Sequence, residues 1–225
     1  MKRTASKRLR RNVALLLTAG VCVTGCSGAY YGAWEKLGVH KRDILVERVE
    51  AASEAQEAAK EEFRSAYQQF ASVVQVSPSR LQSTYESLQE VYDDASERAD
   101  KVTDRIDAVE SVSEALFDEW QDEIRLISSD SLRSRSASQL KASRRQYSDL
   151  IRAMRRAEAK MAPVLDAFRD QVLFLKHNLN ARAIASLKGE LVGIEKDVAA
   201  LIRDMEASIE KSQKFIEDMS VSDAG

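Results

Sequence analysis

Cysteine is almost missing from this chain. Of 225 residues only Cys22 and Cys26 carry a thiol, so everything after residue 26 has none. Disulfides, thiol catalysis and cysteine-ligated zinc are thereby excluded from that long remainder, whose stability must come from packing. Proline is equally scarce, with Pro78 and Pro163 alone, and there are eight glycines. Breaks are therefore few and the segments between them long. Sustained period-2 alternation is missing, as are Asn-Gly and Asp-Gly turns, which argues against strand hairpins. Nor is there a glycine-rich phosphate loop, a G-x-S-x-G or an H-E-x-x-H, so no motif assigns catalysis or a cofactor.

Histidine is limited to His40 and His177. A helix-borne metal site needs a second ligand three or four residues on. His40 has Asp43 and Ile44 there, and His177 has Asn180 and Ala181. Metal binding is expected at neither. Long apolar runs are lacking too: Val13–Val23 is the longest at eleven residues, too short to span a hydrocarbon core of about 30 Å.

That run has a different meaning. Lys2, Arg3, Lys7, Arg8, Arg10 and Arg11 precede it without a single acid, and Val23-Thr24-Gly25-Cys26 follows. The pattern is similar to a lipoprotein signal, with valine where leucine is commoner. In such signals the cysteine thiol takes a diacylglycerol, and cleavage frees its amine for a further acyl chain such as palmitate. Two or three chains at ~0.8 kcal/mol per buried CH₂ hold a protein stably where one is marginal. The alternative is an ordinary secretory signal with a chance cysteine. Arg10-Arg11 could suggest twin-arginine export, but Asn12-Val13 after it fits poorly. Ser27 follows Cys26 where aspartate would imply retention at the inner membrane, so the resemblance implies the periplasmic face of the outer membrane.

The expected organisation is a signal peptide over 1–25, an anchor and linker over 26–40, a helical bundle over 41–220 and a tail over 221–225. Tyr30, Tyr31 and Trp34 in the linker suit either the headgroup level of a bilayer or a cap on the bundle's end. Removing the six leader cations leaves 28 Lys+Arg against 36 Asp+Glu, a net charge of −8, which argues against nucleic acid.

The remainder reads as all-α. Leu81, Tyr85, Leu88, Tyr92, Ala95, Ala99, Val102, Ile106, Val109, Ser113, Leu116 and Trp120 alternate steps of four and three, and only Ser113 is polar. A mean step of 3.5 draws a narrow apolar seam along a helix, and such a seam must face another helix. The same rhythm marks a helix over about 41–75, through Leu45, Val49, Ala52, Gln56, Ala59, Phe63, Ala66, Phe70 and Val73. Ser77-Pro78 is a boundary, with serine capping and proline at the first helical position. Six serines between Ser128 and Ser138 mark the next turn.

A third helix is expected over about 132–177, through Leu140, Arg144, Tyr147, Ile151, Met154, Glu158, Met161, Leu165, Phe168, Val172, Leu175 and Leu179, kinked by Pro163. His177-Asn178-Leu179-Asn180 reads as a corner with Asn180 as cap. A fourth helix continues through Ile184, Leu187, Leu191, Ile194, Val198, Leu201 and Met205, weakens at Ser208 and Ser212, and resumes at Phe215 and Met219. Short corners predict an elongated antiparallel bundle of about four long coiled-coil-like helices. His40 and His177 should then lie at opposite ends, with the start of the first helix, the 2–3 corner and the end of the fourth together at the membrane-proximal end.

Charge supports the central pairing. Residues 86–123 hold 14 acids and 3 bases, and residues 133–160 hold 9 bases and 2 acids. Each exposed pair contributes only ~0.3–0.5 kcal/mol, so this field selects partner and register more than it stabilises. It should bring Arg144 near Glu114 and Glu158 near Lys101, as register devices. Gly189 and Gly193 form a G-x-x-x-G off the seam of the fourth helix, flanked by charges that rule out a transmembrane reading. Tolerated drift explains them better than a partner helix.

The stretches AYYGAWEKLGVHKRDILVERVE (29–50), EALFDEW (114–120), RRAEAKMAPVLDAF (155–168) and LKHNLNARAI (175–184) resemble a bacterial domain-of-unknown-function family, DUF2959. The resemblance implies a helical envelope protein and supplies no activity or catalytic residue. The functional expectation is a non-enzymatic, lipid-anchored, periplasm-facing helical scaffold. Its partners are the membrane, through lipid on Cys26, and an envelope protein. The runner-up is a lipid-binding or membrane-remodelling bundle whose helices open onto a bilayer. Narrow seams can close within one chain or between two, so the sequence leaves homo-oligomers open.

Overall fold

In the computed structural model the described residues are 40–76, 78–178 and 180–221. Several expectations lie outside them: the leader, Cys26, the linker aromatics, the Ser77 cap, Leu179 and residues 222–225. Among the described residues the secondary structure is entirely helical. It comprises α1 (Lys41–Ser72), α2 (Leu81–Leu126), α3 (Asp130–Glu158), α4 (Met161–His177) and α5 (Ala181–Val221). Short 3-10 turns at Val73–Gln75 and Pro78–Arg80 join α1 to α2. The expected start at residue 78 is thus a 3-10 turn, with the α-helix beginning at Leu81.

The chain forms four rods, since α3 and α4 follow one another as the third. α1 packs most heavily on α2 and next on α5, and the third rod closes the ring between α2 and α5. Paired positions rise along one rod as they fall along its neighbour. On α1 and α5, Arg42 donates to the Met219 carbonyl, Gln56 meets Ser208, and Arg64 lies 4.0 Å from Glu206. Between the third rod and α5, Gln146 meets Asp218 and Lys160, in the turn after α3, meets Asp204. At ~1.5 Å per residue the 46 residues of α2 extend for about 70 Å.

Every position of the α1 seam is buried, from Leu45 to Val73. On α2 the seam positions Leu81, Leu88, Ala95, Ala99, Val102, Ile106, Val109 and Ser113 are buried, Tyr85 and Tyr92 are half-buried, and beyond Ser113 the seam drifts. Val112, Phe117 and Ile124 are buried, while Leu116 and Trp120 are only half-buried. A strict 3.5 spacing slips about 20° per heptad on a 3.6-residue helix, so after several turns the buried position moves to the next residue.

The third rod departs from expectation twice. Pro163 does not kink a continuous helix; the helix stops at Glu158 and restarts at Met161. Proline cannot donate to the carbonyl four residues back, that of Ala159, and its ring crowds that carbonyl. The break falls at that missing bond, closed by a turn in which Lys160 N–H donates to the Ala157 carbonyl at 3.1 Å. The second departure is one of phase. Leu140, Met154, Met161, Phe168 and Leu175 are buried as expected, but their partner column includes Leu150, Ala157, Val164 and Gln171. Arg144 is exposed and Glu158 half-buried. Stepping by three before four carries the seam past both charges.

Two polar side chains meet inside the core. Ser208, fully buried on α5, donates its hydroxyl to Gln56 Oε1 on α1 at 2.8 Å, and Ser212 donates to the Ser208 carbonyl at 3.0 Å. Ser208→Ala should cost about 1–3 kcal/mol by leaving the Gln56 amide oxygen without its donor. Gln56→Leu combined with Ser208→Ala should recover most of that loss. Urea unfolding of the single and double variants checks both.

Candidate interaction surfaces

The charged face between α2 and α3 converges on Arg155. Its guanidinium reaches Glu110 and Asp107 on α2 and bonds Glu158 on its own helix at 2.8 Å. These carboxylates, Glu110 foremost, push the Arg155 pKa above arginine's ordinary value. The acidic and basic blocks therefore do face each other, through a different cation from either expected pair. Arg144 does not reach Glu114. It donates to the Phe117 carbonyl at 3.1 Å and lies over the Phe117 ring at 5.6 Å from the centroid. Glu158 is held by Arg155 in place of Lys101. Both displacements follow from the shifted phase, which turns residues 144 and 158 away from the seam.

Tyr147 sits beside this face, in edge contact with Phe117 at 5.4 Å between centroids. Burial raises its phenol pKa, with a hydrogen bond to Ser113 opposing and the charges of Glu110 and Glu114 adding to the rise. Ser113 is fully buried, and its own hydroxyl reaches the Glu110 carbonyl at 2.8 Å. The one polar residue of the α2 seam thus has partners.

The two ends of the rod differ. At one end α1 begins, where Lys41 binds Glu119 at 2.9 Å and Arg42 binds the Met219 carbonyl. At the other, α4 and α5 diverge around a cleft of about 400 Å³. Ala167, Phe174, Leu187 and Ile194 give it an apolar floor, with Asp170 and Glu190 as acidic lining residues. Leu173 and Phe174 beside it are 48% and 38% exposed. The seam spacing alone does not mark this cleft. Its signal is the unbroken run Val172-Leu173-Phe174-Leu175, more apolar positions than one seam can bury.

Other candidates stay apart. His40 precedes α1 and His177 ends α4, near the far end of α1, where Phe168 stacks on Phe70. Among the described residues, no group of three or more His, Cys, Asp or Glu is placed to hold a metal ion, and no helix is long and apolar enough to cross a membrane. Gly189 and Gly193 are exposed on α5, and a Cβ at either would meet nothing within 4 Å.

A family model described as "Protein of unknown function (DUF2959)" matches residues 30–219. The chain belongs to this family. The DUF2959 match takes in all five helices except the last two residues of α5, so the bundle with both of its unlike ends is the family domain. No curated protein and no solved structure matches the chain.

Two measurements follow from these surfaces. A phenol kept protonated by burial holds more protons folded than unfolded once pH passes the ordinary tyrosine value of 10. Stability from Tyr147 should be complete below pH 10 and fall above it, with Tyr67, raised by burial and by Glu195, acting in the same sense. Tyr147→Phe should flatten that alkaline fall in urea titrations across the range. Gly189→Ala and Gly193→Ala should each stabilise the helix by about 1 kcal/mol, read as a rise in Tm, since alanine fits both sites without contact.

Proposed function

We propose that this DUF2959 protein is a lipid-anchored, periplasm-facing helical scaffold of the bacterial envelope, and that it performs no catalysis. The anchor is lipid on Cys26, and the location is the periplasmic face of the outer membrane. The observation that carries the reading is the division of labour between the rod's ends. The chain that follows Cys26 enters at the end where Lys41 meets Glu119. The apolar-floored cleft between α4 and α5 lies at the opposite end. α1, with 32 residues at ~1.5 Å each, separates them by about 48 Å. Such a rod holds a docking site away from the surface to which it is tied. An amphipathic helix of a partner protein, apolar on one face and basic at its edges, suits a cleft lined by Phe174, Leu187, Asp170 and Glu190.

Cys26→Ser should move the protein from the detergent phase to the aqueous phase, and the intact mass of the wild type should carry acyl chains. A photo-crosslinker at Phe174 should capture a discrete envelope protein in cells, whereas one at Glu97, on the exposed face of α2, should not. A wild type without acyl mass removes the anchor from this reading, and equal capture at both positions removes the docking site.

A further inference from the structure

The outer wall formed by α2 and α3 carries two charged stripes of opposite sign, each stepping by three and four along its helix. On α2 the stripe is Asp104, Asp107, Ser111, Glu114 and Asp118. On α3 it is Lys141, Arg145, Ser148, Arg152 and Arg156. All ten positions are exposed. At 3.6 residues per turn each stripe lies nearly opposite the buried column of its own helix. Asp107 is reached by Arg155, the neighbour of Arg156, so the stripes run side by side on one wall.

Arg155 joins the two helices within the chain, yet most of both stripes is left over. Among the described residues Asp104, Glu114 and Asp118 form no ion pair in the chain, and neither do Lys141, Arg145 and Arg156. Arg152 meets only Asp149 of its own helix, at 3.5 Å. The stripes are also level. Arg155 lies opposite Asp107 and Glu110, and Arg144 opposite Phe117, so the bases of α3 stand beside the acids of α2 along the rod.

We propose that this wall binds a second copy of the chain, face to face, about a two-fold axis parallel to the rods. That operation lays the acids of α2 over the bases of α3 of the second copy, and the reverse, at the same height. Arg156 of the second copy comes opposite Asp104 and Asp107, and Arg145 of the second copy comes between Glu114 and Asp118. A two-fold across the rods would set acids on acids and bases on bases. A partner of one sign, such as an anionic lipid surface, would be repelled by the acids wherever it met the bases. The wall is complementary to itself.

Its size agrees. The 29 residues of α3 make the wall about 40 Å long, and two helices of ~10 Å make it about 20 Å wide. That is near the ~800 Å² per partner of a stable interface. Beyond Asp104, α2 lies beside α4, where Arg169 is held by Asp166 at 2.8 Å, so Glu97 falls outside the contact. Copies related in this way are parallel and start at the same end. A shared anchor on Cys26 is compatible with the pairing, which does not depend on it.

The test uses the purified full chain with a photo-crosslinker at Ser111 or at Ser148, one on each stripe. Each should yield a product of twice the chain's mass, and one at Glu97 should not. Raising salt to about 1 M should lower the yield about tenfold. No such product, or a yield indifferent to salt, overturns the pairing. The same crosslinkers in cells should again capture a second copy, and capture of a different protein in its place would overturn it too. Charge exchange is the second arm. Lys141→Glu, Arg145→Glu and Arg156→Glu together, or Asp104→Lys, Glu114→Lys and Asp118→Lys together, should each abolish the product, because like charges then meet in both contacts. An equimolar mixture of the two variants should restore it, an outcome that misfolding could not produce. Full yield from either variant alone, or no recovery from variants that keep the wild-type thermal transition, overturns the inference.

Discussion

Phe168 stacks on Phe70 with ring centroids 4.5 Å apart and planes 2° from parallel, and lies 6.4 Å from Phe63. All three rings are buried in the core toward the far end of α1, and they join α4 to α1. A narrow apolar seam on one helix has no stable state in water by itself, because an isolated helix gains little beyond its backbone bonds. Closing four such seams around one axis removes them all from water together. The register of that closure then sets where every other group lies. Gln56 and Ser208 meet within this core, and a buried polar pair of this kind discriminates between registers that apolar side chains alone would tolerate. Lys160, at the break in the third rod, reaches Asp204 at 2.7 Å and fastens that break to α5.

Electrostatics acts on a frame already chosen by packing. The acidic face of α2 and the basic face of α3 are brought together with Arg155 between three carboxylates. Half of the ion pairs among the described residues join residues three apart on one helix, such as Lys60–Glu57 and Arg169–Asp166, and contribute little beyond solvation of the face. The pairs that cross between rods are few, and all but Arg64–Glu206 sit at landmarks: Lys41–Glu119 at the start of α1, Arg155 midway along the α2–α3 face, and Lys160–Asp204 at the break. Their placement fits a role in fixing register.

The rod's ends have leftover apolar surface that the seams cannot absorb. A helix presents one seam to a four-rod core, and a run such as Val172-Leu173-Phe174-Leu175 covers more of its circumference than that. Phe174 is left exposed in the α4–α5 cleft and Leu173 beside it in the chain, and Leu126 and Leu132 stay exposed on either side of the α2–α3 corner.

The lengths of the rods and the phase of α1 were legible in the residues themselves, since the period of 3.5, Asn180 and the serines around 129 act locally. α1 begins at Lys41 and α5 at Ala181, as the spacing predicts, and the nine seam positions of α1 are buried. Whether the third rod steps by three or by four between its anchors was not legible. Both columns hold apolar residues, and only the neighbours to which α3 and α4 commit decide between Leu150 and Ile151, or Ala157 and Glu158. Arg144 and Glu158 were misplaced for that reason, and Arg155 was missed because nothing local distinguishes it from the other arginines of its block. The cleft likewise exists only in three dimensions. It depends on how α4 and α5 lie against each other, a relation between distant residues that no single segment contains.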